Sequence, residues 1–168
     1  MRFRNLLNLQ KKTKSTITMS DFSIDKPEES TGFLLWQVTN LWQREIKKAL
    51  EAYGLTHSQF VLLASMLWLT SDKQNVTQIL LSNHTKIDPM TTSTVLRTLQ
   101  TKGLVQRKEH ETDTRAKTVG LTEAGLKIIK QAINTVEEFD KLFFGSLEKQ
   151  TEDFNNKLTT LLKYKNVT

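Results

Sequence analysis

The chain has 168 residues, 38% hydrophobic and 25% charged, with six glycines, two prolines and no cysteine. That size suits one domain with an added dimerisation element, little Gly and Pro favours helix, and the missing thiols exclude disulfides and thiolate metal sites. The net charge is +6, of which Arg2, Arg4, Lys11, Lys12 and Lys14 contribute five within acid-free residues 1–18, while 76–120 carries +3, 19–75 carries −2 and 121–168 balances.

Residues 1–28 read as a flexible basic tail and linker, too poor in consecutive apolar residues for a secretory signal. Three readings stay open for residues 1–18: a disordered or non-native extension, an organellar transit segment, or an arm for nucleic acid. From about Glu29, apolar residues Leu34, Val38, Leu41, Trp42, Ile46, Leu50 and Tyr53 recur at three- and four-residue steps, and Gly54 ends the helix they imply. Thr56 and Gln59 have capping-box spacing and open a second helix to about Leu69. Its Phe60, Leu62, Leu63, Met66, Leu67 and Trp68 predict burial on most sides. The nearly apolar run 60–69 is about half the ~20 residues a bilayer span needs, so no membrane helix is expected.

A short helix follows from Thr77 to about Asn83, with Ile79 and Leu80 read as inward. Asp88 followed by Pro89 is a strong helix start, and that helix runs to Lys102. Thr92, Val95, Leu96 and Leu99 form its inward stripe; Met90, Thr91, Thr94, Arg97, Thr98 and Thr101 lie opposite. Two short helices with a tight connector and a polar outer face make a helix-turn-helix. Gly103 ends it, Leu104, Val105 and Arg107 begin an extended segment, and Thr118, Val119 and Leu121 return with β-branched, alternating character. The hairpin tip holds Asp113, Thr114 and Arg115. Thr122 then caps a long helix bearing Ile128, Ile129, Ala132, Ile133, Val136 and Phe139, and Gly145-Ser146 breaks the chain. A last helix, about Glu148 to Lys163, carries Phe154, Leu158, Leu161 and Leu162.

The order helix, helix, helix-turn-helix, hairpin, long helix, with Gly103-Leu-Val-x-Arg107, Asp113-x-Arg115, Val119-x-Leu-Thr122 and Gly125, resembles the MarR family of bacterial transcription regulators over about residues 30–160. The fold expected is mostly α with a small β-wing: a winged helix-turn-helix over 56–121 inside a domain of 29–165, with dimerisation helices at 29–54 and 122–165. The resemblance implies a cytoplasmic homodimer on pseudo-palindromic double-stranded DNA, commonly a repressor, released by a small aromatic or anionic effector.

On that reading Thr91, Ser93, Thr94 and Arg97 are base-reading candidates, since hydroxyls and a guanidinium at the start of a groove-lying helix can meet base edges. Pro89 and Met90 would add contact with thymine methyls. Arg115 resembles the family's wing arginine, held by Asp113. Some members carry a cation at the very tip, where this chain has Thr114, which shifts weight onto Arg115 and Lys117. Lys86, Lys102, Arg107 and Lys108 are phosphate-clamp candidates. Trp36, Arg44, His57, Phe60 and Trp68 are candidates for an effector cleft, although aromatic residues at helical spacing also serve as core or interface. His57, His84 and His110 make no spaced ligand set, so no metal or other cofactor is expected. No phosphate loop or nucleophile signature suggests an enzyme. The rival reading is a winged-helix module that binds protein and not DNA; RNA is disfavoured by the lack of stacking aromatics in 76–120.

Overall fold

The structure is a computed structural model that describes residues 23–72, 75–109 and 117–164; the side chains of Lys108, Glu109 and Lys117 are outside the description. Helix α1 spans Thr31–Glu51, α2 His57–Ser71, α3 Gln78–Thr85 and α4 Pro89–Thr101. Strands β1, Val105–Glu109, and β2, Lys117–Leu121, follow, then α5, Glu123–Phe144, a 3-10 segment Gly145–Gln150 and α6, Thr151–Leu162. The hairpin tip, with His110, Asp113, Thr114 and Arg115, lies outside the described residues.

Contacts divide the chain at residue 39. In the described part of the first unit, a 3-10 turn at Pro27–Glu29 leads into α1. The Ser30 hydroxyl accepts from the Phe33 amide at 3.3 Å. Phe33 and Trp36 stack at 6.2 Å, and Phe33, Leu34, Leu35, Trp36 and Val38 are all exposed.

The second unit holds the core. Ile46 and Leu50 of α1, Leu62, Leu63 and Met66 of α2, Leu81 of α3, Leu96 and Leu99 of α4, and Ile129 and Ala132 of α5 are fully buried. Burying each Leu or Ile contributes about 1.5–3 kcal/mol, which is why these spacings dictate which helix faces meet. Polar clamps add direction: the Trp42 indole donates to Asp140 at 2.8 Å, and Tyr53 shares a 2.6 Å hydrogen bond with Thr135. Both tie α1 to α5.

The connectors follow their residue chemistry. Gly54 and Gly103 adopt φ of 59° and 68°, and each ends its helix with paired backbone bonds, Gly54 to Glu51 with Leu55 to Leu50, and Gly103 to Gln100 with Leu104 to Leu99. That is the Schellman pattern, which satisfies carbonyls a helix end would otherwise leave open. The capping box of α2 forms as its spacing predicts, with Thr56 and Gln59 exchanging bonds at 3.2 and 3.3 Å.

Between α3 and α4 the turn is tight. The Ile87 carbonyl collects the Ser82 hydroxyl from α3 at 2.7 Å and the Thr92 hydroxyl from α4 at 3.3 Å. Lys86 turns the corner at φ 60°, an uncommon left-handed conformation for a side-chain-bearing residue.

Two inward assignments change. Ile79 is 72% exposed because the buried face of α3 is set by Leu81, about 200° around the helix from it, together with Ser82. Trp68 is 73% exposed, lying between the buried Met66 and Leu69 on the opposite side of α2. Helix α5 ends at the expected Gly145 break, but the chain then makes a 3-10 segment in which Glu148 has φ 48°, so α6 begins at Thr151 and not Glu148.

The wing is an antiparallel pair in the register Val105 with Leu121 through Glu109 with Lys117. A third backbone partner was not anticipated: the Val119 amide donates to the Val76 carbonyl at 2.9 Å, with a bridge between Thr77 and Thr118. At the foot of the wing, Thr122 donates its hydroxyl to the Gly103 carbonyl at 2.7 Å and accepts from the Gly125 amide at 3.0 Å. Its amide binds the Leu104 carbonyl at 3.1 Å. Gly125 lies so close that an added Cβ would overlap the Leu104 carbonyl oxygen. Gly125→Ala should therefore destabilise the fold by about 1–3 kcal/mol as the backbones are forced apart; a urea midpoint equal to that of the unmodified protein would refute this close approach.

Candidate nucleic-acid interface

Helix α4 is built to present one face. Asp88 caps it, accepting from the Thr91 amide at 2.9 Å. The Thr91 hydroxyl, then the Thr91 amide, hold that carboxyl below the usual carboxylate range. Pro89 occupies the first turn, where its missing N–H has no helical partner to lose. Thr92, Leu96 and Leu99 anchor the inner stripe in the core. The geometry then leaves Pro89, Met90, Thr91, Thr94, Arg97, Thr98 and Thr101 exposed, while Ser93 is half-buried. This is the face the sequence spacing anticipates.

Around this face the structure distributes the cations unevenly. Lys86 is exposed on the α3–α4 turn. Lys102 has intramolecular work: its ammonium donates to the Gly54 carbonyl at 2.7 Å and to Gln59 at 2.9 Å, tying the end of α4 to the α1–α2 turn. Arg107 is half-buried on β1, opposite Val119, and its Nη2 is buried with no hydrogen-bond partner among the described residues. Lys108 and Lys117 lie on the strands by backbone position, and Asp113 and Arg115 fall outside the described residues.

The effector candidates occupy different local settings. Phe60 is part of the core, and Trp68 sits eleven residues beyond His57, about 16 Å along the helix. Arg44 is exposed and pairs with Glu45 at 3.4 Å. Trp36 belongs to the first unit and is exposed. His57 lines a recess of about 450 Å³, together with Gln43, Lys47, Glu51 and Leu55. Its ring meets Trp42 edge-on at 4.9 Å. Burial pushes its pKa below the ordinary histidine value, against the opposing pull of Asp140. Among the described residues no His/Asp/Glu cluster is arranged to hold a metal, and no helix is long and apolar enough to cross a membrane.

A three-helix reader with a hairpin at its back and a capped, open second helix is the winged helix-turn-helix, a fold of transcription regulators. Residues 51–139 match the ArnR1-like winged-helix domain. Across 138 residues the chain is 41% identical to the HTH-type transcriptional regulator YdcH of Bacillus subtilis, covering 82% of this chain and 93% of that one. Among solved structures it is similar to the S. aureus MepR–DNA complex, with TM-score 0.72, 24% identity, and coverage of 82% and 97%. It is also similar to CouR of Rhodococcus jostii bound to p-coumaroyl-CoA, with TM-score 0.74, 22% identity, and coverage of 86% and 100%. The chain belongs to the ArnR1-like winged-helix family and is an HTH-type transcription regulator, with a fold similar to that of E. coli MarR. That membership decides for a transcription regulator over a protein-docking module.

Two consequences are measurable. Lys102→Met should lower stability by about 1.5–3 kcal/mol, the range for hydrogen bonds to a charged group, yet leave the salt slope of DNA binding intact. A slope reduced by about one would restore Lys102 as a phosphate contact. For His57, the folded state favours the neutral ring, so its contribution is full above the ordinary value of 6.5 and lost as pH falls through the lowered folded value. Urea midpoints between pH 7.5 and 5 should thus fall more for the native protein than for His57→Gln; parallel curves would contradict the assignment.

Proposed function

We propose that the chain is a cytoplasmic, homodimeric, sequence-specific repressor, with no catalytic role, that binds a pseudo-palindromic duplex and releases it when a small aromatic or anionic effector binds. The carrying observation is the open face of α4, where hydroxyls, a methionine and Arg97 project from a helix whose opposite stripe is locked in the core. MepR, a structural neighbour, is a DNA complex, and CouR carries an acyl-CoA; both support the reading by likeness of fold.

In this account residues 56–121 form the reading head, with α4 in the major groove. Residues 29–54 and 122–165 pair with a second copy. The exposed apolar side chains of α1, and separately Leu142, Leu161 and Leu162, support pairing, because open leucines and tryptophans favour removal from water. A two-fold dimer places two α4 helices about one DNA turn apart, ~34 Å. Lys86 and Arg107, with Lys108 and Lys117 on the wing strands, would neutralise phosphates. Arg115, steadied by Asp113, would enter the minor groove, where narrow A/T tracts concentrate negative potential. The effector acts through its different affinity for the two spacings of the heads.

The test combines light scattering with a gel shift on the intergenic DNA beside the gene. A dimer that retains a discrete fragment is expected; a monomer that retains no duplex at low salt would overturn the reading. Arg115→Ala should weaken that complex by about tenfold or more, as for a lost charged contact of 1–3 kcal/mol, while the dimer stays folded. Unchanged affinity and salt slope would remove the wing from the interface.

A further inference from the structure

The exposed threonines of α4 spend their hydroxyl protons inside the protein. Thr94 donates to the Met90 carbonyl, Thr98 to the Thr94 carbonyl and Thr101 to the Arg97 carbonyl, each at 3.1 Å. Thr91 donates its amide to the Asp88 carboxylate at 2.9 Å, and its hydroxyl helps hold that carboxyl ionised. A hydroxyl has one proton. What remains for a partner is therefore the oxygen lone pairs and the γ-methyl, and Met90, 80% exposed, extends that apolar character along the same face. Arg97 supplies guanidinium donors in the middle of this face.

Base pairs differ in what they ask of such a surface. The major-groove edge of A·T offers the thymine C5-methyl and the adenine N6 donor beside the acceptors, whereas G·C offers two guanine acceptors, one cytosine donor and no methyl. A threonine that cannot donate leaves guanine O6 and N7 unmet. It suits an A·T edge, methyl against methyl, with a lone pair near the amino group. Guanine is suited by Arg97, whose fork spans O6 and N7.

We infer that α4 reads its half-site mainly through thymine methyls, met by Thr94 and its neighbours Thr91 and Met90, with one guanine fixed by Arg97. This rests on the DNA-binding reading above. The specificity is then apolar except at a single polar point, and it is carried by the methyl of each threonine and not by its hydroxyl.

Two variants of Thr94 separate these atoms, since Thr94→Ser keeps the hydroxyl and removes the methyl, and Thr94→Val does the reverse. Binding sites are selected from a random duplex pool with the full-length protein, and the half-site thymines are replaced by deoxyuridine, which lacks the C5-methyl. For the native protein, replacing the thymine that Thr94 meets should weaken binding about fourfold, the worth of one buried methyl-sized contact. Thr94→Ser should weaken binding to the thymine site by a similar factor and become indifferent to deoxyuridine there, while Thr94→Val keeps the deoxyuridine sensitivity. Loss of that sensitivity in Thr94→Val with retention in Thr94→Ser would overturn the inference and leave DNA binding standing. Native protein that selects no sequence and retains no duplex at low salt would overturn both. Circular dichroism of each variant confirms that the helix is formed.

Discussion

The carbonyl of Leu104 is where the reading head is assembled. It accepts the Thr122 amide at 3.1 Å, and Gly125 rests directly upon it with no side chain between. The Thr122 hydroxyl reaches across to Gly103 at 2.7 Å. The end of α4, the root of the wing and the first turn of α5 are thereby joined within a few residues. If that junction opened, the hairpin would lose its fixed angle to the helix beside it, and no placement of cations on the wing would retain meaning. The motif Gly103, Thr122 and Gly125 is thus a mechanical requirement before it is a family signature.

A second constraint acts on α4 itself. One stripe must satisfy the core and the other must remain available, so each residue is committed to a single side. Thr92 illustrates the division: it is fully buried, and its hydroxyl is spent on the Ile87 carbonyl alongside that of Ser82. The threonines of the open stripe spend theirs on the preceding turn. Both groups are satisfied locally, so no hydroxyl proton of these residues needs a tertiary partner on the outer side; such bonds to the preceding turn add nothing to helix stability, which rests on the buried stripe.

Much of this was legible in the sequence because it depends on local rules. The Thr56–Gln59 box, the Asp88–Pro89 start, the glycines after α1 and α4 and the alternating wing strands each have a short-range cause, and they lie where their spacing places them. What escaped is governed by tertiary geometry. Ile79 and Trp68 were assigned inward on hydrophobicity, yet neighbours set the buried face of each helix. The partnership of Val76 with Val119 spans more than forty residues; the β-branched pair Val76-Thr77 was its single local sign. Lys102 looked like a surface cation, and nothing nearby in sequence reveals that Gly54 and Gln59 would claim its ammonium. Among the effector candidates, the burial of Phe60 in the core and the exposure of Trp68 likewise depend on which helices pack against α2.

Lys86 sits at the corner between the two helices of the reader with φ 60°. For an L-residue that backbone state costs about 1–2 kcal/mol, a strain that glycine would escape. The angle between α3 and α4 therefore depends on Lys86 keeping that conformation. The two hydroxyls gripping the Ile87 carbonyl are the latch on that corner, so the attitude of the reading helix rests on a pair of short side chains that never face the outside.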